Sequence, residues 1–172
     1  MKEQVNILIG RFQPMTKGHL RCMQRAQENL NIPTILCIIE TPEEKRNERH
    51  PFSTETLFSA YNAILDKSLV REIITVKNAD IVKIAERLKD KYIIKSWTCG
   101  TDRYESYKTM AEKYKEQAGL DPEFEMIEIE RTEDSESATA LREALKKNDK
   151  IEFEKMCVPG LERYYHILKK MI

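Results

Sequence analysis

The sequence predicts one doubly wound α/β domain over residues 1–172, with a parallel sheet, helices on both faces of the sheet and a helical C-terminus. Three observations predict this fold class. Short apolar runs alternate with stretches of helical periodicity along the chain, which is the pattern of strands joined by helices. The run TILCIIE at 34–40 is apolar almost throughout, as in a strand covered on both faces. The length of 172 residues fits one domain with a buried core.

Five short runs predict the strands. They cover residues 5–10, 34–40, 72–76, 92–100 and 123–130. A segment long enough for a helix follows each of the first four runs. Right-handed crossovers between parallel strands are therefore expected.

The segments between the strands carry apolar residues at helical spacing, beginning with Leu20 to Leu30. Capping residues mark two of the helix starts, with Ser53 or Thr54 before one helix and Asp80 before the next. The predicted helices cover residues 18–30, 51–65, 81–88, 102–119, 137–149, 151–156 and 161–171. The last three make the helical C-terminus.

Composition limits the classes of function. Basic and acidic residues number 29 each, which argues against a protein that binds nucleic acid through a basic excess. No apolar stretch approaches the ~20 residues of a membrane span. Four scattered cysteines without paired spacing indicate reduced thiols in a cytoplasmic protein, with no disulfide frame and no zinc site. A homo-oligomer is compatible with these totals.

The stretches that follow strands are the candidates for function, because ligands of doubly wound sheets bind at the carboxyl ends of the strands. These stretches are GRFQPMTKGH at 10–19, TPEEKRNERHPF at 41–52 and CGTDR at 99–103. SATALR at 137–142 begins a late helix and is a further candidate.

The stretch GRFQPMTKGH has the residues of an anion site. Gly10 allows a sharp turn and Gly18 a close approach of phosphate. His19 falls in the first turn of a helix, where unpaired N–H groups and the dipole favour an anion. Thr16 adds a hydroxyl, and Arg11 adds a planar cation. The stretch predicts a phosphate site within reach of an imidazole. The alternative is that the glycines only turn the chain and His19 is an ordinary polar residue.

Neither the GxxxxGK[ST] loop nor the GxGxxG fingerprint is present. The stretch instead resembles the GxFxPx[HT]xGH signature of the nucleotidyltransferase superfamily, whose fold is Rossmann-like. Its GRFQP form is most similar to archaeal-type nicotinamide mononucleotide (NMN) adenylyltransferases. Thr16 stands where those enzymes usually carry their first histidine, and threonine there is typical of the pantetheine-phosphate and glycerol-phosphate branches.

SATALR resembles the second motif of that superfamily, [ST][SGA]TxxR. The resemblance implies that Ser137, Thr139 and Arg142 bind the β- and γ-phosphates. CGTDR occupies the place where related enzymes contact the base and ribose, which implies roles for Gly100, Asp102 and Arg103. HPFST (50–54) and KMCVPGLERYY (155–165) are more loosely similar to archaeal-type segments. The combination of TKGH, GTDR and SATxLR also looks like small members encoded by tailed phages.

The resemblance implies a Mg²⁺-dependent transfer of a nucleoside monophosphate, AMP from ATP, to a small phosphorylated acceptor such as NMN, with release of pyrophosphate. His19 would donate to the α-phosphate and the bridging oxygen, beside Thr16 and Arg142. Mg²⁺ would be held by the triphosphate and water, without a protein carboxylate cage. The implied nucleotide-binding residues are Gly10, Arg11, Phe12, Gln13, Gly18, Gly100, Asp102, Arg103, Ser137 and Thr139.

Two alternatives stay open. The region after the third strand, VKNADIVKIAERL, lacks the tryptophan that stacks on nicotinamide in archaeal-type enzymes, and TETLF lacks the arginine usually found after NPFT, which weakens NMN as the acceptor. A cytidylyltransferase that makes a CDP-activated alcohol or sugar shares the scaffold and is the nearest rival. A regulatory module that binds nucleotide without turnover is the alternative of another class. In the charged stretch 41–52, Lys45, Arg46 and Arg49 could close over phosphate as a mobile basic lid. Acidic residues balance them in number, so a mobile, solvated loop is the interpretation, and His50 is interpreted as a loop residue. Trp97 is interpreted as a core residue.

Overall fold

The computed structural model describes residues 1–130 and 137–172. Within these ranges the chain forms a parallel sheet in the order β3-β2-β1-β4-β5. The strands are β1 (Glu3–Gly10), β2 (Thr34–Ile39), β3 (Val70–Val76), β4 (Tyr92–Gly100) and β5 (Glu125–Ile129). The predicted α/β class and all predicted strands are confirmed.

Helices connect the strands and follow the last one. They are α1 (Lys17–Leu30), α2 (Thr54–Ile64), α3 (Ile81–Leu88), α4 (Thr101–Tyr114), α5 (Ala138–Lys146), α6 (Lys150–Met156) and α7 (Tyr165–Lys169). Ser53 and Asp80 are N-caps, as the sequence predicts. Short 3₁₀ turns lie at Glu43–Lys45 and Leu161–Tyr164. The second of these replaces the start of the predicted last helix.

Helix α4 ends earlier than the sequence predicts. The prediction runs to Gly119, but the regular helix stops at Tyr114 and turns continue to Gly119. The hydrogen bonds change type there, since Gly119 N donates to Glu116 O and Leu120 N to Lys115 O. Gly119 has a φ of +62°, a left-handed conformation that glycine adopts readily. Gly119 therefore ends the turns that follow α4, whereas the sequence predicts that it ends the helix itself.

Two apolar clusters cover the two faces of the sheet. On one face, α1, α2 and the C-terminal helices pack around residues such as Leu8 and Leu36. On the other face, α3 and α4 pack around residues such as Ile7. Trp97 is fully buried in this second cluster and stacks on Tyr107 with ring centroids 4.3 Å apart. Its interpretation as a core residue agrees with this position.

A buried polar layer crosses the centre of the sheet at Asn6. The Asn6 amide donates to Thr34 Oγ1 on β2 at 3.0 Å. Its oxygen accepts from Ser96 Oγ at 2.8 Å and from Thr98 Oγ1 at 2.6 Å, both on β4. Because unpaired buried polar groups are costly, these bonds favour one alignment of the three strands.

The chain builds the sheet outwards from β1 in two directions. Strand β2 lies on one side of β1, and β4 lies on the other side. Gly10 and Gly100 end β1 and β4 at the same edge. This edge is the topological switch point, where doubly wound sheets bind ligands. In the described part of the chain, no helix is long and apolar enough to cross a membrane.

Candidate active site

The buried side of the β1–α1 loop, residues 11–16, is hydrogen-bonded to Tyr61 of α2. The fully buried Tyr61 hydroxyl donates to Phe12 O at 2.6 Å and accepts from Met15 N at 2.7 Å. Burial raises the pKa of Tyr61 far above its usual value, so the hydroxyl keeps the proton that it donates. Phe12 has a φ of +51°, and the Gln13–Pro14 peptide bond is cis. Tyr61 thus bridges the two ends of an unusual backbone turn.

Gln13 joins this loop to two other segments. Its amide nitrogen donates to Phe52 O at 3.0 Å, and its amide oxygen accepts from Phe52 N at 2.9 Å. Its backbone carbonyl accepts from Nη1 of Arg142 at 2.8 Å. The side chain is buried and binds protein backbone, whereas the sequence predicts a nucleotide contact for this residue.

Thr16 and His19 form a capping box at the start of α1. Thr16 Oγ1 accepts from His19 N at 3.3 Å, and Thr16 N donates to His19 Nδ1 at 3.0 Å. Since Nδ1 accepts, the neutral imidazole carries its proton on Nε2. The Phe12 ring meets the imidazole edge to face, with centroids 4.8 Å apart. These contacts fix the orientation and the tautomer of His19.

Two glycines of the loop have different surroundings. A Cβ at Gly10 would lie 3.2 Å from two Phe12 ring carbons, so glycine lets that ring pack against the end of β1. A Cβ at Gly18 would meet only Thr16 Oγ1 at 3.4 Å and Arg21 Nη2 at 3.9 Å. Among the described residues, a Cβ at Gly18 would therefore be at ordinary contact distance from these two side chains, beside the start of α1.

Helix α5 brings Arg142 to the β1–α1 loop, 129 residues away in sequence from Gln13. Ser137 caps the helix by accepting from Ala140 N at 3.0 Å. Arg142 is only 9% exposed, and its Nη2 donates to Thr139 Oγ1 at 3.2 Å. The structure thus brings the two predicted motifs together at one edge of the sheet.

Basic groups from three segments converge at this edge. Arg11 Nη1 donates to Glu40 O at 3.0 Å and to Thr41 Oγ1 at 3.1 Å, at the end of β2. Burial, and then the charge of Arg49, lower the pKa of Arg142. Burial, and then the charges of Arg11, Arg142 and Arg49, lower the pKa of His50. We call Arg11, Arg49, His50 and Arg142 the basic cluster.

Arg49 and His50 are candidates that the sequence interpretation assigned to a solvated loop. Their backbone N–H groups both donate to Asn47 Oδ1, at 2.9 and 3.0 Å, which holds them in a compact turn. The segment therefore has more order than the predicted mobile loop. Its charges balance in number, but its basic side chains lie in the field of Arg142. The adjoining HPFST resemblance was the available signal.

The predicted base and ribose contacts lie at the start of α4. This helix begins directly after β4, and Gly100 is its N-cap without a side-chain capping bond. A Cβ at Gly100 would lie 2.9 Å from Asp102 Oδ1. Thr101, Asp102 and Arg103 are exposed. The helix start is thus accessible at the switch-point edge.

The thiol at the end of β4 and the described acidic side chains provide neither a nucleophile nor a metal site. Burial raises the pKa of Cys99 to about 12, so this thiol stays protonated and is a poor nucleophile. Among residues 1–130 and 137–172, no group of three or more His, Cys, Asp or Glu side chains is arranged to hold a metal ion. The described side chains of the basic cluster are cationic or imidazole groups, which do not suit Mg²⁺ as direct ligands.

The family model for cytidylyltransferase-like proteins matches residues 7–144. The chain belongs to the cytidylyltransferase-like family. The match spans both the β1–α1 loop and Arg142 of this cytidylyltransferase-like protein. The predicted membership of the nucleotidyltransferase superfamily is confirmed, and with it the prediction of a nucleotidyltransferase enzyme.

Solved structures of other proteins share this fold. Plasmodium falciparum nicotinic acid mononucleotide adenylyltransferase complexed with NaAD is 17% identical, with a TM-score of 0.60 over 99% of this chain and 98% of that chain. The same enzyme complexed with APC is 16% identical, with a TM-score of 0.59 over 99% and 98%. Thermotoga maritima TmcAL bound with α-thio ATP is 11% identical, with a TM-score of 0.61 over 98% of this chain and 55% of that chain. Curated protein sequences give no match.

Proposed function

We propose that this cytidylyltransferase-like protein catalyses a Mg²⁺-dependent transfer of AMP from ATP to a small phosphorylated acceptor such as NMN, releasing pyrophosphate. One observation carries the proposal. Arg142 of α5 donates to the carbonyl of Gln13, in the loop that leads to the oriented imidazole of His19. A guanidinium from α5 and an imidazole from the start of α1 therefore meet at the β1–α1 loop, at the edge where the fold binds ligands.

The basic cluster is suited to a triphosphate. The charges of Arg11, Arg142 and Arg49 all act on His50, and the charge of Arg49 also acts on Arg142, where Glu143 opposes it. A polyanion bound between them would relieve this repulsion. The starts of α1 and α5 add backbone N–H groups, and Gly18 has no side chain that would keep a phosphate away from the start of α1. Ser137 and Thr139 belong to the same binding surface.

His19 would act as a donor in the transition state. An acceptor phosphate oxygen attacks the α-phosphorus in line, the bond to the bridging oxygen breaks, and pyrophosphate leaves with that electron pair. Nε2–H of His19 would donate to the α-phosphate and to the bridging oxygen, where negative charge grows. A donor placed in this way contributes about 3–4 kcal/mol in well-studied sites.

Other residues of the motif would hold this donor in place. Thr16 caps α1 and fixes the His19 ring through its own backbone N–H. Phe12 packs on the ring, and Gln13 ties the loop to the segment before α2. We assign Gly100, Asp102 and Arg103, at the open start of α4, to the base and ribose.

Mg²⁺ would be bound through triphosphate oxygens and water, because the described basic groups offer no carboxylate cage. When bound, such an ion neutralises charge on the phosphates. The chain's own residues would meanwhile orient the triphosphate and donate to it. We also propose one catalytic domain over residues 1–172, in the cytoplasm. Four buried free cysteines support that reducing compartment.

ATP is the preferred donor because of the GRFQP form of the loop, and similar folds have been solved with NaAD and with α-thio ATP. A cytidylyltransferase that makes a CDP-alcohol or CDP-sugar is the second candidate. The lack of an aromatic residue from Val76 to Leu88 weakens NMN as the acceptor and keeps this candidate open.

The test is pyrophosphate release from each nucleoside triphosphate, with Mg²⁺ and a panel of phosphorylated acceptors that includes NMN and nicotinic acid mononucleotide. Release with ATP and a pyridine mononucleotide supports the proposal. Release with CTP and an alcohol phosphate selects the second candidate. Triphosphate binding without release from any acceptor selects a regulatory module. The Arg142→Ala variant is the control for contaminating activity.

A further inference from the structure

The segment between β2 and α2 is attached to the fold at both ends. At its start, Thr41 N donates to Thr54 Oγ1 at 3.0 Å. At its end, the Phe52 backbone forms two hydrogen bonds with the Gln13 amide. The exposed turn between them is closed by the Asn47–His50 backbone pair, with His50 N to Asn47 O at 3.2 Å. His50 therefore has a defined position, two residues before the Phe52 attachment.

This position lies where three other segments meet. Arg142 of α5 reaches Gln13 O, while the side chain of Gln13 holds Phe52. Arg11 is bound to the end of β2, directly before the segment. Within the described residues, the charged groups that act on the His50 ring are Arg11 from the β1–α1 loop, Arg142 from α5 and Arg49 from its own turn.

We propose that His50 is a proton-accepting ligand of the triphosphate, neutral in the free protein and protonated in the complex. This inference rests on the proposed function, because it needs a triphosphate at the basic cluster. Histidine differs from the other members of the cluster, since its charge changes near neutral pH. The proton would come from solvent and would remain on the imidazole until pyrophosphate leaves.

The sign of the effect follows from the charges. In the free protein, burial and the three arginines lower the pKa of His50, so its neutral form prevails at neutral pH. A bound triphosphate outweighs the arginine charges and raises that pKa again. The complex then binds more protons than the free protein. Triphosphate affinity must therefore rise as pH falls between the lowered and the raised pKa.

Calorimetric titration tests this proposal with ATP, CTP and inorganic tripolyphosphate, each with Mg²⁺ and without an acceptor. Measurements in two buffers of different ionisation enthalpy count the protons taken up. Wild type and His50→Gln are compared at about pH 6 and about pH 8, which bracket the ordinary histidine pKa. Because phosphate protonation affects both proteins alike, the difference between them isolates the imidazole.

We expect wild type to take up more protons than His50→Gln and to bind about three- to tenfold tighter at the lower pH, with similar affinities at the higher pH. Lys45→Gln removes an exposed charge from the same segment and should behave like wild type. Circular dichroism verifies that each variant is folded, and His50→Asn should repeat the result of His50→Gln.

Equal proton uptake and parallel pH profiles for wild type and His50→Gln would overturn the role of His50 while leaving triphosphate binding in place. If wild type bound none of the three polyphosphates at either pH, the proposed function itself would be overturned. The two failures are therefore distinguishable.

Discussion

The backbone N–H of Thr16 donates to Nδ1 of His19 at 3.0 Å, and this bond decides which ring nitrogen can donate to a substrate. With Nδ1 occupied as an acceptor, the hydrogen of the neutral ring lies on Nε2. The same two residues form the cap of α1. Helix formation and donor placement are thus two results of one local structure.

The position of the His19 donor atom can be tested by replacing the imidazole with amide side chains. His19→Ala should lower kcat about a hundred- to a thousandfold, because it removes a placed transition-state donor. His19→Gln places an N–H close to the position of Nε2, whereas His19→Asn places one near Nδ1. We therefore expect higher kcat for His19→Gln than for His19→Asn. Equal kcat values for the two amide variants would contradict the assignment of Nε2 as the donor.

The cap itself can be tested through stability. Thr16→Ala removes the oxygen that accepts from His19 N and should lower the free energy of unfolding by about 1 kcal/mol. Thr16→Ser keeps the oxygen and should restore most of that loss. Urea unfolding measures both variants. A Thr16→Ser variant as unstable as Thr16→Ala would show that the hydroxyl is not the stabilising group.

The charge and the planar shape of the Arg142 side chain can be tested with two substitutions. Arg142→Ala removes the bonds to Gln13 O and Thr139, together with a charge of the basic cluster. We expect kcat/KM for the triphosphate to fall by orders of magnitude while the fold persists. Arg142→Lys keeps the charge without the planar fork and should recover only part of the activity. Lys146→Ala, at the exposed end of the same helix, is the matched control.

Tyr61 gives a test of the loop support. Tyr61→Phe leaves Phe12 O and Met15 N without their shared hydroxyl in a buried site. The free energy of unfolding should fall by about 1–3 kcal/mol. Tyr92→Phe is the control, because its hydroxyl binds the partly exposed Glu72 and its loss should matter little. Equal losses in the two variants would mean that burial of the Tyr61 contact is unimportant.

Alkaline pH should destabilise the fold through its buried thiols. In the fully buried Cys37, burial raises the pKa from the ordinary 9.0 to about 12. The unfolded thiol therefore ionises first, so the stabilising contribution is complete below pH 9.0 and is lost as pH rises towards the folded value. Each pH unit in this window removes about 1.4 kcal/mol per such thiol. Unfolding of wild type and Cys37→Ala in urea, compared at rising pH, checks this, because Cys37→Ala should lose less stability.

Local pattern predicted the elements well, since strands, capping residues and the β1–α1 loop depend on neighbours in sequence. The end of α4 was predicted wrongly because KEQAG (115–119) favours helix as a peptide, whereas the fold uses it as turns before β5. The contacts of Gln13 with Phe52 and Arg142 span 39 and 129 residues, and no local pattern contains them.

The residues of the candidate site also fall into two groups, those marked by local motifs and those whose contacts arise only in the folded chain. His19, Thr16 and Arg142 were found because motifs mark them. Arg49 and His50 were assigned to a solvated loop because balanced charge in a segment says nothing about which way the charges face. Their partners, Arg11 and Arg142, approach only after the sheet has brought three segments to one edge.

The hydrogen-bonded layer at Asn6 has a consequence for protein engineering. A split or circularly permuted version that separates β1 from β4 would leave the Asn6 oxygen in an apolar fragment without Ser96 and Thr98. Fragments divided between these strands should therefore aggregate rather than reassemble. Every break between Asn6 and Ser96 divides this layer, so a reporter built from two halves is better divided after Thr98, in the turns at 115–119, where both strands stay in one fragment.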